Sequence, residues 1–212
     1  MEVFVAPRRD ETGKFQGIVE AFPYLWRGHV LDVGSRSGRM RDVIHAVVES
    51  GWDYYGLDLL PPADVLASLE KGLPFTDGAF DLVLALDVLE HTDNIHSSFA
   101  ELCRVSSRFI VITLPNVYEL KGRVKFLRGR PLSGKYGLPV VPPKDRHRWI
   151  FSFRAAQKFV HHMSSNYGFI VRSDGCLLGP RRKPWRFLIS RFPDLLAPTY
   201  LALLEKSGLE RR

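Results

Sequence analysis

The ten residues Val30-Leu31-Asp32-Val33-Gly34-Ser35-Arg36-Ser37-Gly38-Arg39 constrain the fold more than any other stretch. A short apolar run ends in an acid, and two glycines come next, four apart. Met40, Val43, Ile44, Val47 and Val48 then recur at helical spacing. Strand, tight loop and helix in this order are the opening unit of a nucleotide-binding α/β domain. Glycine suits such a loop because a ligand must approach the backbone and φ can turn positive. The free N–H groups of the next helix favour an anionic or polar ligand group. The fingerprint G-x-G-x-x-G is not met, since Arg36 holds its middle position, and a plain strand-to-helix turn is the competing reading.

The chain beyond residue 50 keeps the same alternation. Asp53-Tyr54-Tyr55-Gly56-Leu57-Asp58 reads as a second strand, ending in an acid 26 residues after Asp32, the spacing of one strand–helix–strand crossover. A carboxylate at the tip of that strand can accept from both hydroxyls of a ribose; the alternative is a turn acid before Pro61-Pro62. Asp77-Gly78 marks a turn, residues 80–86 a buried strand, and residues 109–114 another that stops at Pro115-Asn116. Between them Val88-Leu89-Glu90-His91-Thr92-Asp93 leads into a helix carrying Phe99, Leu102 and Val105. Strands alternating with helices imply a parallel sheet covered on both faces, with ligand across the carboxyl ends of the strands. Residues 1–28 read as a helix or irregular lead-in, with Phe15, Ile18, Val19 and Phe22 at helical spacing. Beyond residue 150 come a helix through Phe159, Val160 and Met163, a strand at 168–172 and a Pro-interrupted connection at 180–196. A strand or short helix at 199–206 and a frayed tail at 208–212 end the chain.

Together these elements resemble a class I S-adenosylmethionine-dependent methyltransferase of the type 11, small-molecule group. Residues 30–38, Asp58, Leu73-Pro74-Phe75 with Phe80-Asp81, and Val88-Leu89-Glu90-His91 carry the resemblance over about residues 28–116. It implies a Rossmann-like α/β fold, a seven-stranded mostly parallel sheet with helices on both faces, the stretch 199–206 being its last, antiparallel strand. It also implies S-adenosyl-L-methionine as cofactor and transferase activity. By the same resemblance Asp32, Gly34, Ser35 and Gly38 cradle the methionine part, and Asp58 with Leu59 binds the ribose. Ser68 and Leu69 contact adenine, and Ala85, Leu86 and Asp87 floor the sulfonium. Residues 114–160 are similar to a subset that includes MetW-like proteins. No metal site is assigned.

Composition bounds the rest. A chain of 212 residues, 45% hydrophobic, supports a single domain, here 1–212 with a lead-in at 1–28 and a basic lid inserted at 117–150. No apolar run approaches ~20 residues and the N-terminus has no signal-peptide pattern, so a cytoplasmic protein is expected. Cys103 and Cys176 lack metal-site spacing. Net charge is +7, but residues 1–116 carry −7 and residues 117–212 carry +14. An acidic front suits a sulfonium ligand. The basic back suits an anionic acceptor, phosphorylated, carboxylated or lipid-linked, unless it is only a solvated surface. Within the lid, Leu120, Val124 and Leu127 share one face of a basic amphipathic helix, suited to a lid, a docking partner or peripheral membrane contact through 120–130. No RNA-binding signature is present, and nucleic acid is not the expected partner.

Methyl transfer from a sulfonium needs mainly alignment in a dry pocket, with a general base only where the acceptor must lose a proton early. His91 and His147 are the candidate bases. The competing readings are a His91 that braces the helix start and a His147 that pairs with Asp145. Arg146, Arg148 and Asn116 are the candidate acceptor contacts. The alternative function is a non-catalytic cofactor-binding regulator or partner-binding protein of the same fold.

Overall fold

The computed structural model describes residues 1–8, 10–36, 38–132, 135–136, 140–141 and 146–208. In chain order the elements are β1 (Glu2–Val5), α1 (Glu11–Ala21), β2 (Gly28–Val33), α2 (Arg39–Val47), β3 (Trp52–Asp58), β4 (Val65–Leu66), β5 (Phe80–Leu86) and α3 (Ile95–Val105). They continue with β6 (Ser106–Pro115), α4 (Leu120–Leu127), α5 (Phe153–Asn166), β7 (Phe169–Leu178), α6 (Arg186–Arg191), α7 (Pro193–Leu196) and β8 (Thr199–Lys206). One sheet runs β1-β7-β8-β6-β5-β2-β3-β4. All neighbours are parallel except β8, which is antiparallel to both β6 and β7.

Alternating side chains on the strands divide the core into two layers. Leu31, Val83, Ala85 and Ile112 face a cluster with Phe99 and Leu102 of α3 and Val160 and Met163 of α5. Val30, Leu82, Leu84 and Val111 face the other cluster, with Ile18 and Val19 of α1 and Met40 and Ile44 of α2. A central strand buried on both faces reads as a continuous apolar run, which is why 80–86 and 109–114 look as they do. Helix starts are fixed locally. Asp10 accepts from the Gly13 amide, Asn94 from those of His96 and Ser97, and Ser152 from that of Ala155.

The sheet has eight strands rather than seven. β1 adds a parallel edge beside β7, pairing Glu2 with Gly175, so the lead-in is a strand followed by a helix. A Cβ at Gly175 would lie 2.1 Å from the Glu2 carbonyl oxygen, so only glycine admits this neighbour. β7 is twice the expected length, because its polar middle is engaged: Asp174 accepts from Gln157, His161 and Tyr200. Residues 199–206 form a strand. In the expected lid, α4 borders a groove with Arg181, Trp185, Ile189 and Leu196, rather than the turn at Gly34. Among the described residues no helix is long and apolar enough to cross a membrane.

Candidate active site

Strand β2 stops where the backbone turns over the end of the sheet. Gly34 has φ +75°, and the amides of Gly34 and Ser35 both donate to the Leu57 carbonyl of β3, at 2.7 and 3.1 Å. A Cβ at Gly34 would lie 2.6 Å from Cγ2 of Val88. Gly38, at φ +70°, is the N-cap of α2, and its amide donates to the Ser35 carbonyl at 2.9 Å. Between them Arg36 also takes a positive φ of 49°. Its amide donates to Oδ2 of Asp58 at 2.9 Å, while Oδ1 accepts from the Leu59 and Leu60 amides at 2.6 and 3.3 Å. Three of the roughly four acceptor positions of that carboxylate are therefore occupied by the protein. Ser37 lies outside the described residues.

Two cavities meet at this turn. The first, about 530 Å³, runs from Asp58 past Leu59, Leu60, Ser68 and Leu69 to His91. The second, about 440 Å³, is bordered by Lys14, Asp32, Ser35, Glu90, Lys135 and His147. Gly34, Arg36, Leu86 and Asp87 line both. The first has mostly apolar walls with a carboxylate acceptor at one end, an arrangement suited to the base and ribose hydroxyls of a nucleoside. The second holds charge of both signs.

The acids at the junction differ in state. Asp32 is buried and accepts from the Tyr54 hydroxyl. Burial pushes its carboxyl up to about 7; the Tyr54 bond opposes this, and the carboxylates of Asp58 and Glu11 add to it. Asp87 follows β5 at φ 55°. Burial alone would raise it, but Lys14 Nζ at 2.5 Å and the Thr113 hydroxyl at 2.8 Å hold it below the usual carboxylate range. Glu90 is fully buried, and burial with the nearby Asp87 charge pushes it up to about 8. Residues 146–149 fold back onto the turn after β5. The Arg148 and Trp149 amides donate to the Glu90 carbonyl at 2.8 and 3.3 Å, the Trp149 indole donates to the Thr92 carbonyl at 2.8 Å, and Arg148 pairs with Asp93.

Residues 31–108 match the family described as "Methyltransferase domain" (Methyltransf_11). The match spans 78 of the 212 residues and makes this part of the chain similar to type 11 methyltransferases. One solved methyltransferase of the same fold holds S-adenosylhomocysteine in one structure and S-adenosylmethionine in another. Solved structures share the fold of this chain at low identity. A chain of the complex between the Haloferax volcanii Trm112 methyltransferase activator and a proposed methyltransferase has a TM-score of 0.59 and 14% identity, covering 94% of this chain and 92% of its own length. Magnesium protoporphyrin IX methyltransferase from Synechocystis PCC 6803, with bound S-adenosylhomocysteine, has 0.57 and 16%, covering 92% and 82%. A SAM-dependent methyltransferase from Aquifex aeolicus has 0.55 and 14%, covering 91% and 89%. No curated protein matches by sequence. The family match ends at residue 108 and does not show the similarity to MetW-like proteins expected over residues 114–160.

The fold brings most of the residues expected to hold a cofactor to this junction. Asp58, Leu59, Ser68 and Leu69 line the first cavity, Asp32 and Ser35 the second, and Gly34, Leu86 and Asp87 both. Ala85 is instead fully buried in the core packed against α3. His91 and His147 stand together, ring centroids 4.5 Å apart. Asn116 is buried: its amide donates to the carbonyls of Pro193, Asp194 and Ala197 and its oxygen accepts from the Tyr118 amide, so its side chain braces this stretch of chain. Arg148 is paired with Asp93, and Arg146 offers its carbonyl to Nδ1 of His91. Asp145, the expected partner of His147, lies outside the described residues, as do residues 209–212 of the tail. Sequence reading missed Tyr54, Lys14 and Glu90. Each lies within the segments read, but its partner is 22 or more residues away or, for Glu90, burial decides its state.

Proposed function

We propose that this chain is a methyltransferase that transfers the methyl group of S-adenosyl-L-methionine to a small-molecule or lipid-linked acceptor carrying negative charge, with the cofactor lying across the Gly34 turn between the two cavities. The observation that carries this reading is the junction itself: two cavities share Gly34, Leu86 and Asp87, with Asp58 on one side and Asp32 on the other.

S-adenosyl-L-methionine supplies, when bound, an activated methyl group on a sulfonium. The chain's own residues bind and orient. Asp58 takes a ribose hydroxyl in its remaining acceptor position, and Leu59, Leu60, Ser68 and Leu69 enclose the adenine. Asp32 faces the cationic amine of the methionine part, whose charge favours the ionised carboxylate. Gly34 lets the backbone approach, since the space a Cβ would need is filled by Val88. Leu86 and Asp87 form the floor beneath the transferred group. The acceptor enters the second cavity, where Lys14 and Lys135 meet its negative charge. Arg146, beside the cavity-lining His147 in sequence, is exposed. On α4, Phe126 and Leu127 are 72% and 84% exposed beside Lys121, Arg123 and Lys125, a surface suited to holding an anionic lipid layer.

The test couples binding and transfer. Asp58→Ala should weaken S-adenosylhomocysteine binding at least tenfold by calorimetry. Tritiated methyl groups from S-adenosylmethionine should enter phosphorylated, carboxylated or lipid fractions of a metabolite extract with the wild type and not with that variant. Label confined to neutral or cationic fractions would refute the acceptor class. Unchanged affinity in Asp58→Ala would refute the ribose role.

A further inference from the structure

Glu90, His91 and His147 bring a carboxylate oxygen and two imidazole nitrogens within 4.8 Å of one another beside the second cavity. We propose that these three side chains bind one divalent transition-metal ion of the zinc or iron(II) type, with its open coordination positions toward the cavity that holds Lys14 and Lys135.

The acid is the first argument. Glu90 is 0% exposed, and among the described residues neither of its carboxylate oxygens has a hydrogen-bond partner. Buried carboxyl oxygens are almost always paired or metal-bound, so two orphaned oxygens on one side chain point to a ligand. The geometry is the second. Nε2 of His91 and Nε2 of His147 each lie 3.9 Å from Oε1 of Glu90. Ligands about 2.0–2.2 Å from a shared tetrahedral ion stand roughly 3.3–3.6 Å apart, so each imidazole needs to approach the carboxylate by only a few tenths of an ångström.

The supporting residues are the third. Nδ1 of His91 lies 3.1 Å from the Arg146 carbonyl. A carbonyl only accepts, so Nδ1 carries the proton and Nε2 presents its lone pair inward. Nδ1 of His147 meets the Tyr136 hydroxyl at 2.5 Å, the same kind of outer partner. The backbone bonds from Arg148 and Trp149 to the Glu90 carbonyl hold His147 in place, although 56 residues separate it from His91. At that separation no metal-ligand spacing is visible in the sequence. Two nitrogens and one carboxylate suit zinc or iron(II), whereas magnesium and calcium favour all-oxygen sets. Three protein ligands leave a position for an outside oxygen, as in catalytic rather than structural sites. Polarisation of an acceptor oxygen by the ion rests on the methyl-transfer reading; metal binding does not.

The chelator-treated full chain should be titrated with Co²⁺ and followed by visible absorption, with Zn²⁺ as competitor and S-adenosylhomocysteine affinity measured in parallel by calorimetry. One equivalent of Co²⁺ should give a visible band that Zn²⁺ removes. Glu90→Gln and His147→Ala should abolish it, and Tyr136→Phe should weaken Co²⁺ about tenfold, the scale of an outer-partner loss. Should either ligand variant fail to fold, His91→Ala and the rise in wild-type melting temperature on adding Zn²⁺ carry the same test. No band in the wild type, or an undiminished band in the ligand variants, would overturn the site. A normal Co²⁺ band with no S-adenosylhomocysteine binding supports the metal site and overturns the cofactor reading instead.

Discussion

Replacing Asp32 by asparagine should stabilise the free protein while impairing cofactor binding, and the size of the gain should depend on pH. In the folded chain the Asp32 carboxyl is pushed up to about 7 by burial, against the Tyr54 hydroxyl bond and with the Asp58 and Glu11 carboxylates adding to it. In the unfolded chain it titrates near 3.9. Between these values the folded state holds a proton the unfolded state has released, so stability falls as pH rises through the window. Linkage over an interval of about three pH units amounts to at most about 4 kcal/mol by pH 8. An asparagine retains the shape and a partner for the Tyr54 hydroxyl but has no proton to lose. Asp32→Asn should thus match the wild type below about pH 4, pull ahead progressively above it, and melt higher at pH 8. At ~2–4 °C per kcal/mol for a chain of this size, the upper bound is about 8–16 °C.

Thermal melts of both proteins at half-unit steps from pH 5 to 8 read this directly, and comparing the two cancels every group they share. Calorimetry with S-adenosylhomocysteine gives the functional half. Wild-type affinity should increase from pH 6 to 7.5 as Asp32 ionises, and the variant should bind weakly with a flat profile. A stability difference independent of pH, or a variant less stable than wild type at pH 8, would refute the buried-acid reasoning.

Gly34→Ala should cost about 1–2 kcal/mol for the left-handed backbone alone, and more for a Cβ 2.6 Å from Val88. Gly38→Ala, with nothing within 4 Å of its Cβ, should show only the backbone part; equal melting temperatures for the two would remove Val88 from the account. Asn116→Ala strips the donor from three carbonyls and should cost about 1–3 kcal/mol, read as a lower melting temperature with S-adenosylhomocysteine affinity intact. Phe126→Ser with Leu127→Ser should reduce co-sedimentation with phosphatidylglycerol vesicles, and unchanged sedimentation would count against membrane contact through α4.

The parts legible in the sequence were those whose determinants are local. A strand buried on both faces must be apolar along its length, and 80–86 is apart from Asp81, so its ends fell where β5 begins and stops. The acids at the tips of β2 and β3 were visible because a crossover has a narrow range of lengths. β1 was not visible: four residues with no local partner become a strand only because Gly175, some 170 positions on, leaves room for them. The two-residue β4 carries no period at all. In the site, Asp87 was foreseen by position but not its pairing with Lys14, which α1 delivers from 73 residues away. Glu90 was named only within the segment leading into α3, because a sequence shows that an acid is present and not that its oxygens are buried.

Arg36 was the residue most able to undo the cofactor reading, and its backbone explains why it does not. The position requires a left-handed residue whose amide points at Asp58, and Arg36 supplies both, at φ 49° and 2.9 Å. Its side chain is exposed at the shared mouth, and both cavities persist with it in place. Glycine is favoured at such a position only by about 1–2 kcal/mol of backbone strain, which three amide bonds to one carboxylate can offset. Gly34 has no such latitude, because there the side chain of Val88 is an obstacle in addition to the dihedral angle. Two neighbouring positions that a glycine pattern treats alike are thus held by different physics, and only one of them must be glycine.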